Sequence, residues 1–264
     1  VLINGSEKGV RRFMTADEKK ELQKMACKVR MGALGAVYSA NAGHPGGSLS
    51  AADLFTYLYF KEMNVDPKNP RWEERDRFVL SKGHTTPGLY ATLANRGFFP
   101  VEDLKGFRQI GSYLQGHPNM NMVPGVDMST GSLGQGISTA AGMALALRSQ
   151  GKSCRVYALM GDGEIEEGEA WEAFMFAHQY KLDNLCVIID NNGLQIDGKI
   201  EQVMSPYPIP EKLQAFGFET MEVDGHDFDQ LEAAFAKAKE TKGVPFAIIM
   251  KTVKGKGVSY MENQ

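Results

Sequence analysis

The chain has 264 residues, 43% of them apolar, and carries 29 basic against 32 acidic side chains for a net charge of −3, enough apolar material for a sizeable core. No long run of Lys or Arg offers a grip for a nucleic acid or an anionic surface. No run of about 18 apolar residues could span a bilayer, and the opening VLINGSEKGVRRF lacks the apolar core of an export signal, so neither nucleic acid nor membrane is expected as a partner and the cytoplasm is the expected compartment.

The first predicted element is a long helix in TADEKKELQKMACKVRMGALGAVYSA. Thr15 with Glu18 makes a capping box at its head, and Leu22, Met25, Ala26, Val29 and Ala33 recur at helical spacing. It ends at NAGHPGGS, read as a turn. Further helices are predicted in SAADLFTYLYFKEM, PGLYATLANRG, GQGISTAAGMALALRSQG and EGEAWEAFMFAHQYK. Among and after these lie five short apolar runs: RFVLS, RVYALM, LCVIID, ETMEVD and PFAIIMK. Continuous apolar runs that alternate with helices predict strands of a mostly parallel sheet covered on both faces. The expected fold is therefore α/β, a three-layer doubly wound sheet, in a single domain over residues 1–264, since no repeat or long linker divides the chain. The turn-rich segment 108–134 stands apart as a long loop of the kind that usually has a functional reason. Cys27, Cys154 and Cys186 fit neither a metal spacing nor a disulfide framework and are expected to be core thiols.

The polar residues are not scattered. KGH follows the first apolar run, GDGE the second, DNNG the third, DGHD the fourth and KTVKGKG the fifth. All five sit at the carboxyl ends of predicted parallel strands, the edge where open α/β sheets hold ligands. In GDG, Gly161 and Gly163 allow a sharp turn that brings backbone N–H groups near an anion, and Asp162 adds a hard oxygen ligand. Taken alone the tripeptide is a common tight turn. One helix later, Asn192 stands at the end of the next strand, and neighbouring strands of a right-handed βαβ unit would let Asp162 and Asn192 share one cation.

This pairing of GDG with an Asn about thirty residues on resembles the thiamine diphosphate and magnesium motif in the form that transketolases carry. NAGHPGGSLSAADLFTYLYF, DRFVLSKGHTTPGLYATLA, GHPNMNMVPGVDMSTGSLGQG and KTVKGKG resemble further signatures of the transketolase diphosphate-binding domain. The resemblance implies a thiamine diphosphate-binding fold with that cofactor and Mg²⁺. It assigns the ion to Asp162, the Asn192 side chain and the Leu194 carbonyl, and the diphosphate to Gly163 and His84 beside Gly161. Gly131 and Leu133 would lie along the cofactor ring, and Ile196 would touch the thiazolium. His44 and His117 match histidines that face the substrate, and with His84 and Glu167 they make up the expected catalytic set. Glu167 matches an interfacial acid that couples paired sites, which implies self-association. Glu164, Glu166 and Glu169 are read as charges favoured near a helix N-terminus. His226 is open to a structural or a site role, and His178 is read as a packing histidine.

The implied reaction is ketol transfer between sugar phosphates. In the family, a glutamate from a pyrimidine-binding domain completes the site, and that domain and a C-terminal domain are absent from this sequence. The expectation is the N-terminal subunit of a split transketolase, active only with a C-terminal partner subunit, in an assembly of two copies of each. Asn119, where many relatives have an acid after the Gly-His-Pro turn, leaves the sugar open. The alternatives are a non-catalytic cofactor-binding module, an enzyme of the deoxyxylulose phosphate synthase type, or a Mg²⁺-dependent phosphohydrolase, which lacks an evident nucleophile.

Overall fold

The computed structural model describes residues 13–196 and 198–264. Helix α1 (Ala16–Ala40) starts on the expected capping box: Thr15 Oγ accepts the Glu18 N–H at 3.2 Å, and Glu18 accepts the Thr15 N–H at 2.7 Å. It stops at Asn41, whose φ of 48° places it in the left-handed region where Asn serves as a C-terminal cap. Of the following GHPGGS, the part from Pro45 on is helical rather than a turn: α2 (Pro45–Ser50) begins on Pro45, whose ring pre-sets φ for a first helical position. After a break at Ala51, α3 (Ala52–Tyr57) runs into a π-helical turn over Leu58–Glu62. One long apolar stretch in the sequence is thus two helices and a widened turn.

The sheet and its covering helices follow. Strand β1 (Arg77–Leu80) leads to α4 (Thr86–Arg96), and α5 (Gln135–Ser149) to β2 (Val156–Gly161). Next come α6 (Gly168–Gln179) and β3 (Leu185–Asn191), then a two-residue antiparallel ribbon of β4 (Leu194–Gln195) and β5 (Gly198–Lys199). Helices α7 (Ile200–Val203) and α8 (Ile209–Ala215), strand β6 (Glu219–Asp224), α9 (Phe228–Glu240) and β7 (Phe246–Lys251) complete the order. The large sheet runs β1-β2-β3-β7-β6 with every pairing parallel.

Strand side chains alternate between two cores, as a period of two requires when both faces are covered. Cys186 and Ile188 of β3 join Val29, Phe55, Leu93 and Phe235 on one face. Leu185, Val187 and Ile189 join Ile137, Phe174 and Leu213 on the other. This is the expected three-layer α/β architecture, and it turns all five strand ends toward one edge. Cys154 and Cys186 are buried as expected, but Cys27 is exposed, because it falls on the solvent side of α1 between the buried Ala26 and Val29. Among the described residues no helix is long and apolar enough to cross a membrane.

Candidate functional site

At the carboxyl edge of the sheet a cleft of about 580 Å³ is lined by His44, Lys82, His84, Leu133, Asp162, Asn192 and Lys254, among others. The residues come from separate strand ends. Lys82 and His84 follow β1, Asp162 follows β2, Asn192 follows β3, and Lys254 follows β7. The parallel register brings them into one place: Gly161 pairs with Asp190, which puts the GDG turn beside the chain leaving β3.

Asp162 and Asn192 are coupled through a single turn. Asp162 Oδ2 accepts the Gly193 N–H at 2.7 Å and Oδ1 accepts the Gly163 N–H at 2.9 Å. Asn192 Oδ1 accepts the Leu194 N–H at 3.1 Å. Gly193, at φ 72°, makes the left-handed step between them, which a side chain would strain. Asp162 is buried, and desolvation, with the Asp190 charge behind it, pushes its carboxyl up to about 6. Such a shift marks negative charge that the surrounding chain does not neutralise. The donors gathered here are a carboxylate, a side-chain amide oxygen and peptide groups, the hard oxygen set that suits Mg²⁺. No cluster of three or more His, Cys, Asp or Glu side chains with metal-binding geometry occurs among the described residues.

Gly161, Gly163, Leu194 and Ile196 also line the cleft, as do His44, His84 and Leu133. The His44 and His84 rings meet edge to face with centroids 5.2 Å apart. Burial, then the charges of Lys82, His44 and His117, hold His84 down to about 3, and burial with Arg108, His117 and Lys254 lowers His44. His84 is therefore a neutral donor or acceptor in this chain, and nearby lysines supply the positive charge. Since the unfolded histidine takes up a proton near 6.5 and the folded one near 3, stability is intact above about 6.5 and falls as pH drops below it. Going from about pH 7.5 to about pH 5.5 should remove about 1 kcal/mol through His84. Denaturant titrations at both pH values on the metal-free chain and its His84→Gln variant measure this, and an unchanged pH dependence in the variant would remove His84 as its source.

Gly131 and His117 lie outside the residues that line the cleft but next to each other: a Cβ at Gly131 would come within 3.0 Å of the His117 ring. The absent side chain at Gly131 thus leaves room for the His117 ring. Ile196 is 79% exposed and holds φ at 53°, a left-handed setting that is an outlier for a β-branched residue. The Lys254 ammonium donates to its carbonyl.

The acidic run from Asp162 to Glu169 separates into different roles. Glu164 opens a short 3-10 turn (Glu164–Glu166), at a helix head as expected, but it is also buried, 3% exposed, and joins three elements. Its Oε1 accepts Ser81 Oγ at 2.5 Å and the Gly134 N–H at 3.0 Å, and its Oε2 accepts the Gly161 N–H at 2.9 Å. Glu166 takes a 3.2 Å hydrogen bond from Gln195, and its other oxygen is buried without a partner. Glu167 occupies the cap position of α6, exposed and packed on Gly134, outside the cleft lining. Glu169 lies in the first turn of α6, where its charge is favoured.

Two buried residues under the cleft carry no expectation from the sequence. Lys82 and Asp190 form an ion pair with side-chain exposures of 3% and 0%. Asp190 also accepts from Ser50 Oγ at 2.6 Å and from the Thr252 hydroxyl. Both lie in the polar groups at strand ends, KGH and DNNG, and that position was the available signal. His226 proves structural in its contacts, bridging Asp53 and the Val253 N–H. His178 is exposed and meets the Gly217 carbonyl at 3.1 Å, away from the cleft.

Residues 21–264 match the family described as transketolase, thiamine diphosphate binding domain. The chain is 43% identical over 249 residues to the 6-deoxy-6-sulfo-D-fructose transketolase subunit of a Clostridium species, covering 94% of this chain and 90% of the relative. It is 46% identical over 226 residues to one of the subunits of the apulose-4-phosphate transketolase of Phocaeicola vulgatus, covering 86% of this chain and 80% of that subunit. Among solved structures, the transketolase of Campylobacter jejuni superposes with a TM-score of 0.88 at 35% identity, over 93% of this chain and 39% of that one. The chain thus spans well under half the length of such transketolases, but 90% and 80% of the two subunits.

Proposed function

The chain belongs to the transketolase family, and on that premise we propose that it is the thiamine diphosphate- and Mg²⁺-binding subunit of a two-chain transketolase, moving a two-carbon ketol unit from a ketose phosphate to an aldose phosphate. The observation that carries the reading is the convergence of Asp162, Asn192 and Leu194 with His44 and His84 on one cleft. Asp162, Asn192 and the Leu194 carbonyl hold the ion, while Gly161, Gly163 and His84 hold the diphosphate. Bound there, the cofactor supplies the electron sink for breaking a C–C bond beside a ketose carbonyl.

The chain's own residues bind, orient and shield. A neutral His84 donates a hydrogen bond without competing for the metal's anionic ligands. His44 and His117, each in a Gly-His-Pro segment, face the sugar hydroxyls and move protons at the sugar oxygens. Ile196 and Leu133 present apolar surface to the cofactor ring, and Gly131 leaves room beside His117. Glu167, exposed at the head of α6, meets a second copy of the chain and links paired sites.

A partner subunit with the pyrimidine-binding domain completes the enzyme, in a cytoplasmic assembly of two copies of each chain. That two relatives matched over most of their own length are named as transketolase subunits supports that reading. Calorimetry should show weak Mg²⁺-dependent binding of thiamine diphosphate to the chain alone and tighter binding once the partner is added. Ketol transfer should require both chains. Transfer by the isolated chain would refute the two-chain assignment, and absence of Mg²⁺-dependent binding by the assembled pair would refute the cofactor assignment.

A further inference from the structure

The loop after β7, residues 252–257, reaches the cleft through Lys254, and it is held there from several sides. Thr252 bonds to Asp190, the Lys254 ammonium to the Ile196 carbonyl, and the Gly255 N–H to the Gly46 carbonyl at 3.0 Å. Further restraints come from a group of side chains outside the cleft. Arg30 of α1 makes a two-pronged ion pair with Asp53 of α3, at 3.1 and 2.5 Å, and its Nε donates to the Lys256 carbonyl at 3.0 Å. His226, in the turn between β6 and α9, places Nδ1 2.8 Å from Asp53 Oδ2. The Val253 N–H donates to its Nε2 at 2.9 Å. Because Nε2 accepts, the imidazole proton resides on Nδ1 and points at Asp53, so the carboxylate fixes both the tautomer and the ring direction.

We propose that Arg30, Asp53 and His226 form a clamp that positions the loop after β7, and with it Lys254, in the wall of the cleft, making His226 a positioning residue for anion binding there. This rests on the cofactor reading for what the cleft binds, but not for the clamp itself. The local geometry favours a positioning role over simple packing. Within the clamp, His226 is the one bridge from Asp53 to the Val253 amide, and its own turn is braced independently: its N–H bonds to Asp224 Oδ1 at 2.8 Å, and Lys19 pairs with Asp227 at 3.2 Å. Losing the imidazole therefore leaves the turn in place and removes one of the loop's restraints. Lys254 is also set by close packing, since a Cβ at Gly46 would meet its stem at 3.0 Å, so a shift of the loop changes where the ammonium stands.

The test compares His226→Ala, His226→Gln and His226→Asn in the full chain. A Gln amide reaches the position of Nε2 and can accept the Val253 N–H, whereas an Asn amide reaches only the position of Nδ1 and can bond Asp53 alone. Hydrogen exchange over residues 252–257 should quicken by about tenfold in the Ala and Asn variants, the size of one lost hydrogen bond, and return toward wild type in the Gln variant. Calorimetry with Mg²⁺ and thiamine diphosphate, and with Mg²⁺ and inorganic pyrophosphate, should show affinity weakened by about tenfold in the same two variants. Equal exchange in wild type and Ala, or Gln and Asn behaving alike, overturns the clamp. Faster exchange with both affinities unchanged overturns its role at the cleft. If wild type binds neither ligand even with its partner subunit added, the cofactor reading has failed, and the exchange comparison alone decides whether the clamp exists. Should the Ala variant fail to fold, the Gln and Asn pair gives the same decision.

Discussion

Replacing Lys82 by Met is expected to destabilise the chain by about 3–5 kcal/mol at neutral pH, the usual consequence of stranding one member of a buried ion pair. Asp190 is fully buried at the end of the central strand β3. Burial pushes its carboxyl up, and the Lys82 ammonium, with the Ser50 and Thr252 hydroxyls, more than reverses that push, so it is held below the usual carboxylate range. Without the ammonium, two hydroxyls remain to face a full negative charge in the sheet's polar rim. The loss should shrink as pH falls, because a protonated Asp190 no longer presents a buried charge. Replacing both partners, Lys82→Met with Asp190→Leu, should cost much less than either change alone, since apolar side chains of similar volume avoid the desolvation that makes the pair necessary. Denaturant midpoints for the four proteins of this cycle test the account. A Lys82→Met chain within about 1 kcal/mol of wild type at neutral pH would show that the pair is not what holds β1 and β3 together there. The same ammonium helps keep His84 unprotonated, so the His84 proton, followed by NMR, should bind at a higher pH in the variant.

This pair also shows where reading the sequence stops. The apolar runs RFVLS, RVYALM and LCVIID became strands because both of their faces are buried, and a run of apolar residues is the one pattern that allows this. Asp162 and Asn192 could be placed together because one right-handed crossover separates them and the register of β2 with β3 follows. Lys82 and Asp190 are 108 residues apart, and nothing in either local stretch distinguishes a buried ion pair from two solvated charges. The same holds for Glu164. Its spacing within an acidic run suggests a helix end, but the chain folds it under Ser81 and Gly134, donors that only the assembled sheet brings near. Cys27 fails in the opposite direction, since its chemistry suggests burial while its angle on α1 faces it outward. α2 was hidden by its glycines, whose low helix propensity is overridden by Pro45 at its head and by the buried Leu49 that anchors it. The site was thus legible where one strand-helix-strand unit builds it, and hidden where distant segments meet beneath it.

Asp162→Asn should separate what the site does from what the fold needs. Mg²⁺-dependent binding of thiamine diphosphate, by the chain with its partner, is expected to fall at least about a hundredfold, beyond the 10- to 100-fold typical when only an outer partner of a metal ligand is lost. The variant removes the one carboxylate charge proposed to meet the ion and leaves Asn192 and the Leu194 carbonyl, which carry none. Stability of the metal-free chain should move the other way. Desolvation and the Asp190 charge raise the folded carboxyl to about 6, above its unfolded value near 3.8, so ionised Asp162 opposes folding at neutral pH and ceases to do so as pH falls through that range. Removing the charge relieves that opposition, while an Asn amide keeps one of the two backbone N–H acceptances, to Gly163 or Gly193, and forfeits the other at about 1 kcal/mol. The net expectation is a gain of about 2 kcal/mol at neutral pH that vanishes at about pH 4.5, read from denaturant titrations without metal. Added Mg²⁺ and thiamine diphosphate should stabilise the wild type and leave the variant unmoved, since only a state that binds ligand is stabilised by it. Two results would defeat this account: wild-type affinity in the variant would mean the ion is held elsewhere, and a less stable metal-free variant would mean the two amide bonds, rather than the strain of a buried charge, dominate at Asp162.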